Sequence, residues 1–248
     1  MLKELRNAYK KSSIAIIGSG PSAKDFSENE DLAIVVNGAA VISKKYDIFI
    51  AGDKQAPSRD WWLSTENQEN HANILRLVSS YIAPFDPILY PDDEIRTKLQ
   101  EKYSVHILNS KEKYGYTSFV PDVKPKQHKF FKFGGLGLEH ISKINPNQEL
   151  MYWGGTISAI ALQLGLILGA KEINLYGCGF NNDSGTNYVY SCTPEQKGKT
   201  STVQRVIMQE TINHIYVNFN VDINVVGNSR LESKTKNKVS YYLKASGE

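Results

Sequence analysis

The stretch Ser13-Ile14-Ala15-Ile16-Ile17-Gly18-Ser19-Gly20-Pro21-Ser22-Ala23 decides the fold class. It begins with a short apolar run, which ends directly in a glycine-rich turn followed by a proline. A buried strand that leads through glycines into a helix is the opening unit of parallel α/β sheets. We therefore expect residues 13–17 to form a parallel strand and Pro21 to begin a helix, because proline fits the first helical position.

Similar short apolar runs alternate with helix-like stretches along the rest of the chain. This alternation predicts an α/β, Rossmann-like fold with a mostly parallel sheet and helices on both faces. The predicted strands are residues 13–17, 32–36, 47–51, 74–78, 105–108, 172–176 and 222–226. The predicted helices are residues 92–103, 156–168 and 202–217.

The length of 248 residues fits a single domain, residues 1–248, with one shared core. Residues 81–148 hold most of the nine prolines and are interpreted as a small inserted lid. The net charge of +3 is too mild to indicate a partner. The two cysteines, Cys178 and Cys192, cannot form a zinc site alone, and no early apolar run is long enough to span a membrane, so we expect a cytoplasmic protein.

The glycine-rich turn predicts a phosphate-binding site formed by Gly18, Ser19, Gly20, Pro21 and Ser22. The two glycines permit positive φ and a close approach of a ligand, and the following helix would direct its N–H groups at a phosphate. A dinucleotide fingerprint would need an acidic residue at the end of the second strand, where Asn37 and Gly38 stand. A mononucleotide or nucleotide sugar is therefore favoured, and a packing turn without a ligand stays open as the alternative.

Three further clusters follow predicted strands or begin a predicted helix. Asp53 follows the third strand and could bind ribose, hold a metal, remove a proton or cap a helix. Gly155, Thr156 and Ser158 begin the second predicted helix, where the hydroxyls either cap it or bind a ligand oxygen. The carboxyl ends of parallel strands share one edge of the sheet. That edge is also predicted to hold the cluster after the late strand, which is Gly177, Cys178, Gly179 and Phe180, followed by Asp183 and Tyr188.

The order of these motifs resembles that of the MptE-like proteins, which include the Maf flagellin glycosyltransferases. It is more remotely similar to the bacterial lipooligosaccharide sialyltransferases of glycosyltransferase family 42. The matching pieces are Ile16-Ile17-Gly18-Ser19-Gly20-Pro21-Ser22, Val36-Asn37-Gly38-Ala39, the Asp53 strand end and Gly154-Gly155-Thr156-Ile157-Ser158 leading to Gly177. They cover roughly residues 13–55 and 152–190.

The resemblance implies a transferase that binds a nucleotide sugar at the carboxyl edge, without a metal-binding DXD motif. In the family the glycine turn and the strand-end asparagine contact the nucleotide, so the resemblance implies this role for residues 18–22 and Asn37. Thr156 and Ser158 carry over at a slightly shifted register. Gly179 stands where related enzymes usually have aspartate, and residues 183–201 contain no histidine in place of the sialyltransferase base. The resemblance therefore does not extend to sialic acid as the donor.

A glycosyl transfer needs a base for the acceptor hydroxyl and a group that stabilises the departing phosphate. Asp53 is predicted to be the base, with Asp183 as the second candidate. Tyr188 is among the predicted hydrogen-bond donors to the phosphate.

A basic and aromatic stretch outside this site is a candidate acceptor-binding surface. Lysines at four positions are interleaved with phenylalanines, a composition that can hold nucleic acid by phosphate contacts and base stacking. The same alternation is typical of an amphipathic strand. The candidate residues are Lys124, Lys126, Lys129, Phe131 and Lys132. A second basic segment, Arg230, Lys234, Lys236 and Lys238, is interpreted as a frayed tail.

The sequence thus predicts a metal-independent glycosyltransferase with a nucleotide sugar as co-substrate, no other cofactor, and a saccharide or a hydroxylated nucleic-acid base as acceptor. One alternative is a pterin diphosphokinase that uses ATP and Mg²⁺ and would need an acidic metal site. The other is a non-catalytic nucleotide- or nucleic-acid-binding module.

Overall fold

The computed structural model describes residues 2–43, 45–51, 75–79, 105–108, 118–121, 128–131, 133–136, 138–149, 151–153, 156–180 and 202–236. The helices are α1 (Leu2–Leu5), α2 (Ile157–Leu168) and α3 (Thr202–Phe219). The strands are β1 (Ser13–Ile17), β2 (Leu32–Val36), β3 (Ile48–Ala51), β4 (Leu75–Ser79), β5 (Val105–Leu108), β6 (Ser118–Pro121), β7 (His128–Phe131), β8 (Phe133–Leu136), β9 (Met151–Trp153), β10 (Glu172–Tyr176) and β11 (Asp222–Val225). Turns of 3₁₀ helix lie at Pro21–Asp25, Asn37–Val41 and Leu138–Lys143.

The main sheet has seven strands in the order β11-β10-β1-β2-β3-β4-β7. Every pairing in it is parallel, which confirms the predicted α/β class and the mostly parallel sheet. From β1 the chain adds strands in one direction through β4, whereas β10 pairs with β1 on its other side. The strand order therefore reverses between β1 and β10, and ligands of open α/β sheets bind outside the carboxyl ends of strands at such a point.

Strand predictions in the main sheet are confirmed within one residue, and β1, β2 and β10 have the predicted bounds. The prediction that residues 105–108 join the parallel sheet is wrong. They pair antiparallel with β6 in a separate two-stranded sheet. A short run with three apolar residues around His106 indicates a strand without specifying its partner, which is why the sequence misplaced it. The predicted helix at 92–103 lies outside the described residues.

Both long helices pack on the same face of the main sheet. All twelve residues of α2 are buried, and α3 contributes Met208, Ile212 and Ile215 to the same core. The prediction for α2 is confirmed, with Thr156 as its N-cap and Gly169 as a left-handed C-cap. Across the sheet, Phe26 packs edge-on against the Tyr176 ring at 5.5 Å between centroids.

The N-terminal segment closes the far end of α2. The N–H groups of Asn7, Tyr9 and Lys11 donate to the carbonyls of Ile167, Leu168 and Gly169 at 2.9 to 3.0 Å. Those carbonyls belong to the helix end that has no partners within the helix. The other end of α2, its N-terminus at Thr156, lies at the carboxyl edge of the sheet.

Part of the predicted insertion at 81–148 belongs to the main sheet. Strand β7 pairs with β4 at the edge, in the register Arg76 to His128 and Ser79 to Phe131. The predicted acceptor residues Lys129 and Phe131 lie in this strand, of which only the backbone pairing is described. Lys124, Lys126 and Lys132 lie outside the described residues.

The described part of the C-terminal basic segment, residues 230–236, packs onto the fold, contrary to the interpretation as a frayed tail, and Lys238 lies outside the described residues. Lys234 forms an antiparallel bridge with Ile223, and the Lys236 N–H donates to Asp222 Oδ1 at 3.0 Å. None of the helices in the described ranges is long and apolar enough to cross a membrane.

Candidate functional site

Two glycine turns cross at the carboxyl ends of β1 and β10, where the strand order reverses. The backbones are so close that a Cβ on Gly18 or on Gly20 would lie 2.7 Å from the carbonyl oxygen of Gly177. A Cβ on Gly177 would overlap with the backbone of Gly18, and Gly177 also has a φ of +63°. Only glycine fits at these three positions, because each is in contact with backbone atoms that cannot move aside.

The hydrogen bonds of the first turn are formed inside the protein. The Gly18 N–H donates to Tyr176 O at 2.7 Å, and the Gly20 N–H donates to Gly177 O at 2.8 Å. The Ser22 hydroxyl accepts from the Gly177 N–H at 2.9 Å. Neither of these two amides is available to a ligand, so a phosphate at this turn would have to be bound by groups other than the N–H groups of Gly18 and Gly20.

The expected conformations of this turn also need correction. Gly18 and Gly20 are not among the described residues with positive φ, and Gly20 has a φ of −77°. Proline does begin a helical segment, but Pro21–Asp25 is a 3₁₀ turn of five residues, too short to supply a strong helix dipole. Ser19 is half-buried and Pro21 is exposed beside the crossing.

The next turn, after β2, has an unsatisfied polar atom. Asn37 has a left-handed φ of +50° and begins the 3₁₀ turn Asn37–Val41, in which Gly38 is buried. Its Oδ1 atom is buried and accepts no hydrogen bond in the described part of the chain. A buried acceptor without a donor costs about 1–3 kcal/mol, so such atoms are rare without a ligand or water to satisfy them.

The N-terminus of α2 meets the same edge. Thr156 Oγ1 accepts from the Ser158 N–H at 3.3 Å, so its hydroxyl caps the helix, one of the two predicted roles. The Cys178 thiol donates to Ser158 Oγ at 3.6 Å, which ties α2 to the turn after β10. Burial raises the pKa of Cys178 to about 11, and its hydrogen bonds with Ser158 and Gly18 oppose the rise. Cys178 is therefore a protonated packing residue at neutral pH.

A third segment, residues 227–231, covers this edge and was missed as a site element from the sequence. The N–H of Arg230 and the hydroxyl of Ser229 both donate to Gly179 O, at 2.9 and 3.2 Å. Gly227 has a φ of +80°, and a Cβ there would lie 2.6 Å from that of Ser22. The signal available was a glycine directly after an apolar run, the same pattern that marked the turns after β1 and β10.

Polar side chains line β10 on the face opposite α2. Glu30 Oε1 accepts from Tyr176 Oη at 2.6 Å and from Asn174 Nδ2 at 3.3 Å. Asn224 Nδ2 donates to Asn174 Oδ1 at 2.8 Å and to Glu172 Oε1 at 3.0 Å. Burial, and then the hydrogen bond to Glu30, raise the pKa of the Tyr176 phenol above its ordinary value. This network fixes the strand that leads to Gly177.

The structure thus brings several predicted site residues to one edge, and others fall outside it. The residues at the edge are Gly18, Ser19, Gly20, Pro21, Ser22, Asn37, Gly38, Thr156, Ser158, Gly177, Cys178, Gly179 and Phe180. Phe180 has a φ of +55° and packs against the core. The predicted residues outside the described ranges are Asp53, Gly155, Asp183 and Tyr188. No group of three potential metal ligands occurs among the described residues.

Comparisons with known proteins yield matches among solved structures. No protein-family model matches the sequence, and no curated protein matches it. The chain is similar to the sialyltransferase CstII from Campylobacter jejuni in complex with the substrate analogue CMP-3FNeuAc, with 13% identity, a TM-score of 0.47, and coverage of 86% of this chain and 81% of that one. For the same enzyme in complex with cytidine-5'-monophosphate the identity is 15% and the TM-score 0.46, over 92% and 90% of the chains.

A third solved structure, the apo form of an alpha-2,3-sialyltransferase from Campylobacter jejuni, has 13% identity and a TM-score of 0.39, over 95% of this chain and 94% of that chain. At these values the similarity assigns no role to any residue, and roles have to come from the geometry of the edge.

Proposed function

We propose that the protein is a metal-independent glycosyltransferase that moves a sugar from a nucleotide donor to an acceptor hydroxyl, with the donor at the carboxyl edge beside β1 and β10. The buried, unpartnered Oδ1 of Asn37 carries the proposal. It lies after β2, next to the reversal of strand order, where open α/β sheets bind nucleotides. A ribose hydroxyl or an amino group of the base would supply the missing donor.

The internal hydrogen bonds of the glycine turn support a particular mode of donor binding. Because the amides of Gly18 and Gly20 donate to backbone carbonyls, the turn is proposed to be a rigid surface against which the nucleoside packs. The positive end of the α2 dipole at Thr156 favours the donor phosphate on the other side of this surface. A triphosphate loop would instead need a row of free amides, so a diphosphokinase has less support.

The chemical step needs one base and one stabiliser of the leaving group. In the proposed reaction a carboxylate, Asp53 or else Asp183, takes the proton of the acceptor hydroxyl. The acceptor oxygen forms a bond to the anomeric carbon as the bond from that carbon to the phosphate oxygen breaks. The phosphate leaves with the electron pair, and Tyr188 donates a hydrogen bond to it in place of a metal ion.

The acceptor is proposed to be a saccharide or a hydroxylated base in nucleic acid. A direct test incubates the protein with a panel of nucleotide sugars, an oligosaccharide or hydroxymethylated DNA as acceptor, and EDTA or Mg²⁺, and follows products by mass spectrometry. We expect one nucleotide sugar to give a glycosylated product in EDTA. An ATP- and Mg²⁺-dependent pterin product would establish the diphosphokinase instead, and salt-sensitive DNA binding without any turnover would establish a binding module.

The variant Asn37→Gly tests the carrying observation, because glycine keeps the left-handed backbone and removes Oδ1. The matched control is Asn220→Gly, at an exposed asparagine that also has a left-handed φ, of +57°, and lies between α3 and β11. We expect loss of donor affinity in Asn37→Gly alone. Equal affinity in both variants would remove the basis of the proposal.

A further inference from the structure

The segment that follows β11 and covers the carboxyl edge is anchored to both glycine turns. Gly227 has a φ of +80° and lies so close to the turn after β1 that a Cβ on it would be 2.6 Å from the Cβ of Ser22. Further along, the Ser229 hydroxyl donates to Gly179 O at 3.2 Å. Leu231, at the end of the segment, is 6% exposed and belongs to the hydrophobic core. The segment is therefore fixed at its start, its middle and its end.

The single charged residue of this segment is Arg230. Its N–H donates to Gly179 O at 2.9 Å, so this buried carbonyl accepts hydrogen bonds from two adjacent residues of the segment. The backbone of Arg230 is thereby held against the turn after β10, while the residue as a whole is exposed. A group on a fixed backbone loses less freedom when it binds a ligand, so the position is preorganised.

The spacing of the strands relates Arg230 to Asn37. Arg230 is bound to the turn after β10, Asn37 follows β2, and β1 is the one strand between these two in the sheet. Neighbouring strands are about 4.8 Å apart, so the carboxyl ends of β10 and β2 are separated by roughly 10 Å. The base and the phosphates of one nucleotide are separated by a distance of the same order. A nucleotide whose nucleoside contacts Asn37 can therefore extend its phosphate to the turn that holds Arg230.

Arginine has the chemistry that a phosphate at this place requires. Its guanidinium stays charged at all physiological pH values, and its planar set of donors matches two phosphate oxygens at once. In a glycosyl transfer the phosphate gains negative charge as its bond to the sugar breaks, and positive groups placed there lower the barrier. The amides of Gly18 and Gly20 cannot supply this interaction, because both donate to backbone carbonyls.

We propose that Arg230 binds the phosphate of the donor and stabilises the charge on that phosphate as it departs. The inference rests on the proposed function and adds a cation to the same donor site, from the segment that follows the last strand. Arg230 donates hydrogen bonds from its guanidinium and keeps its proton throughout, so no bond to it is made or broken in the reaction.

Three variants separate the charge of Arg230 from its place in the fold. Arg230→Gln removes the charge and retains the backbone N–H that donates to Gly179. Arg230→Lys keeps the charge and loses the planar pair of donors. The matched control is Lys171→Gln, because Lys171 is exposed and directly precedes β10, at the opposite edge of the sheet. All three should unfold at nearly the wild-type temperature.

Calorimetric titration with the common nucleoside mono- and diphosphates, and with the nucleosides that lack the phosphate, tests the proposal. In Arg230→Gln we expect the Kd of the bound nucleotide to rise about tenfold or more and that of its nucleoside to stay unchanged. Arg230→Lys should fall between this variant and the wild type. The nucleotide Kd of Arg230→Gln should also depend less on salt, because a charge has been removed. Equal losses for nucleotide and nucleoside, or a nucleotide Kd like that of Lys171→Gln, would overturn the inference.

Turnover with the donor identified in the product assay separates this inference from the proposed function. We expect kcat of Arg230→Gln to fall by about 100-fold. If the wild type binds nucleotides through Arg230 and transfers no sugar, the glycosyltransferase function is wrong and the phosphate site stands. If sugar is transferred and Arg230→Gln keeps the wild-type kcat and KM, the function stands and the role of Arg230 is wrong. A wild type that binds no nucleotide would contradict both.

Discussion

The turns after β1 and β2 lie side by side at the carboxyl edge and differ in how far their polar groups are satisfied. In the turn at Gly18 the amide of Gly18 donates to Tyr176, while the amide of Gly20, the Ser22 hydroxyl and the space beside both glycines are taken up by Gly177. In the turn at Asn37 a buried oxygen has no donor in the described ranges, and the backbone is left-handed. Two amides of the glycine-rich motif are therefore used in packing, and Asn37 is the better candidate for contact with a ligand in the function proposed above.

The largest effect is expected from a substitution that separates the turn at Gly18 from Gly177. We call the turn at Gly18 the closed turn and the turn at Asn37 the open turn. In Gly177→Ala the new Cβ overlaps with the Gly18 backbone at a positive φ, and we expect a loss of about 4 kcal/mol in the free energy of unfolding. Chemical denaturation measures it. The control is Gly165→Ala, where the Cβ would approach only the flexible end of Ile173 at 2.8 Å. Since alanine is favoured over glycine inside a helix by about 1 kcal/mol, the control should be close to neutral. Similar losses of stability in both variants would contradict the close contact between Gly177 and the backbone of Gly18.

The second prediction concerns pH and the thiol beneath the closed turn. The pKa of Cys178 is raised from 9.0 to about 11 in the folded protein. Above pH 9 the unfolded chain loses this proton and the folded chain keeps it, so stability present below pH 9 is lost as the pH rises to 11. The loss amounts to about 2–3 kcal/mol.

Denaturation of the wild type and of Cys178→Ala at pH 8 and pH 10.5 measures this loss. Tyr176, whose pKa is also raised, is common to both proteins and cancels in the difference. We expect the wild type to lose more stability than the variant across this interval. Parallel losses would show that the thiol is exposed to solvent in solution.

The turns after β1, β2 and β10 also show how far the sequence could predict the site. Gly18, Gly177 and Asn37 were located correctly, because a strand followed by a turn residue is a local pattern, and parallel strands place such turns on one edge. Which atoms would be free could not be predicted. The amide of Gly20 finds its acceptor in Gly177, more than 150 residues away along the chain, and no local pattern contains that pairing.

The same limit explains the strand errors. The seven apolar runs were identified as strands, yet residues 105–108 joined a separate hairpin-like pair with β6, since partner choice depends on contacts across the fold. The edge strand β7 lies in the stretch of lysines and phenylalanines whose alternation was recognised as typical of an amphipathic strand, but its pairing with β4 could not be predicted. Segment 227–231 was missed because the basic residues near it indicated a tail.

The third prediction sharpens the comparison at the open turn. Replacing Asn37 by glycine removes one hydrogen bond to the donor, so we expect its Kd to rise by about tenfold. The melting temperature should stay the same or rise, since the variant also removes a buried unsatisfied oxygen and a left-handed non-glycine residue. Calorimetric titration with the donor identified in the product assay gives the Kd. A fall in stability with unchanged Kd would mean that Oδ1 of Asn37 has a hydrogen-bond partner within the protein. The polar groups of both turns would then be satisfied internally.

The smallest effect concerns Thr156, whose hydroxyl is satisfied in the folded chain as the amides of the closed turn are. In Thr156→Ala the loss of the cap should lower the free energy of unfolding by about 1 kcal/mol. Thr156→Ser retains a capping hydroxyl and should recover most of it. If the hydroxyl only caps the helix, donor Kd should follow stability in both variants and change less than about threefold. A larger rise in Kd in Thr156→Ala, restored in Thr156→Ser, would place Thr156 with Asn37 among the residues that contact the donor, because a cap alone does not act on a ligand that it never touches.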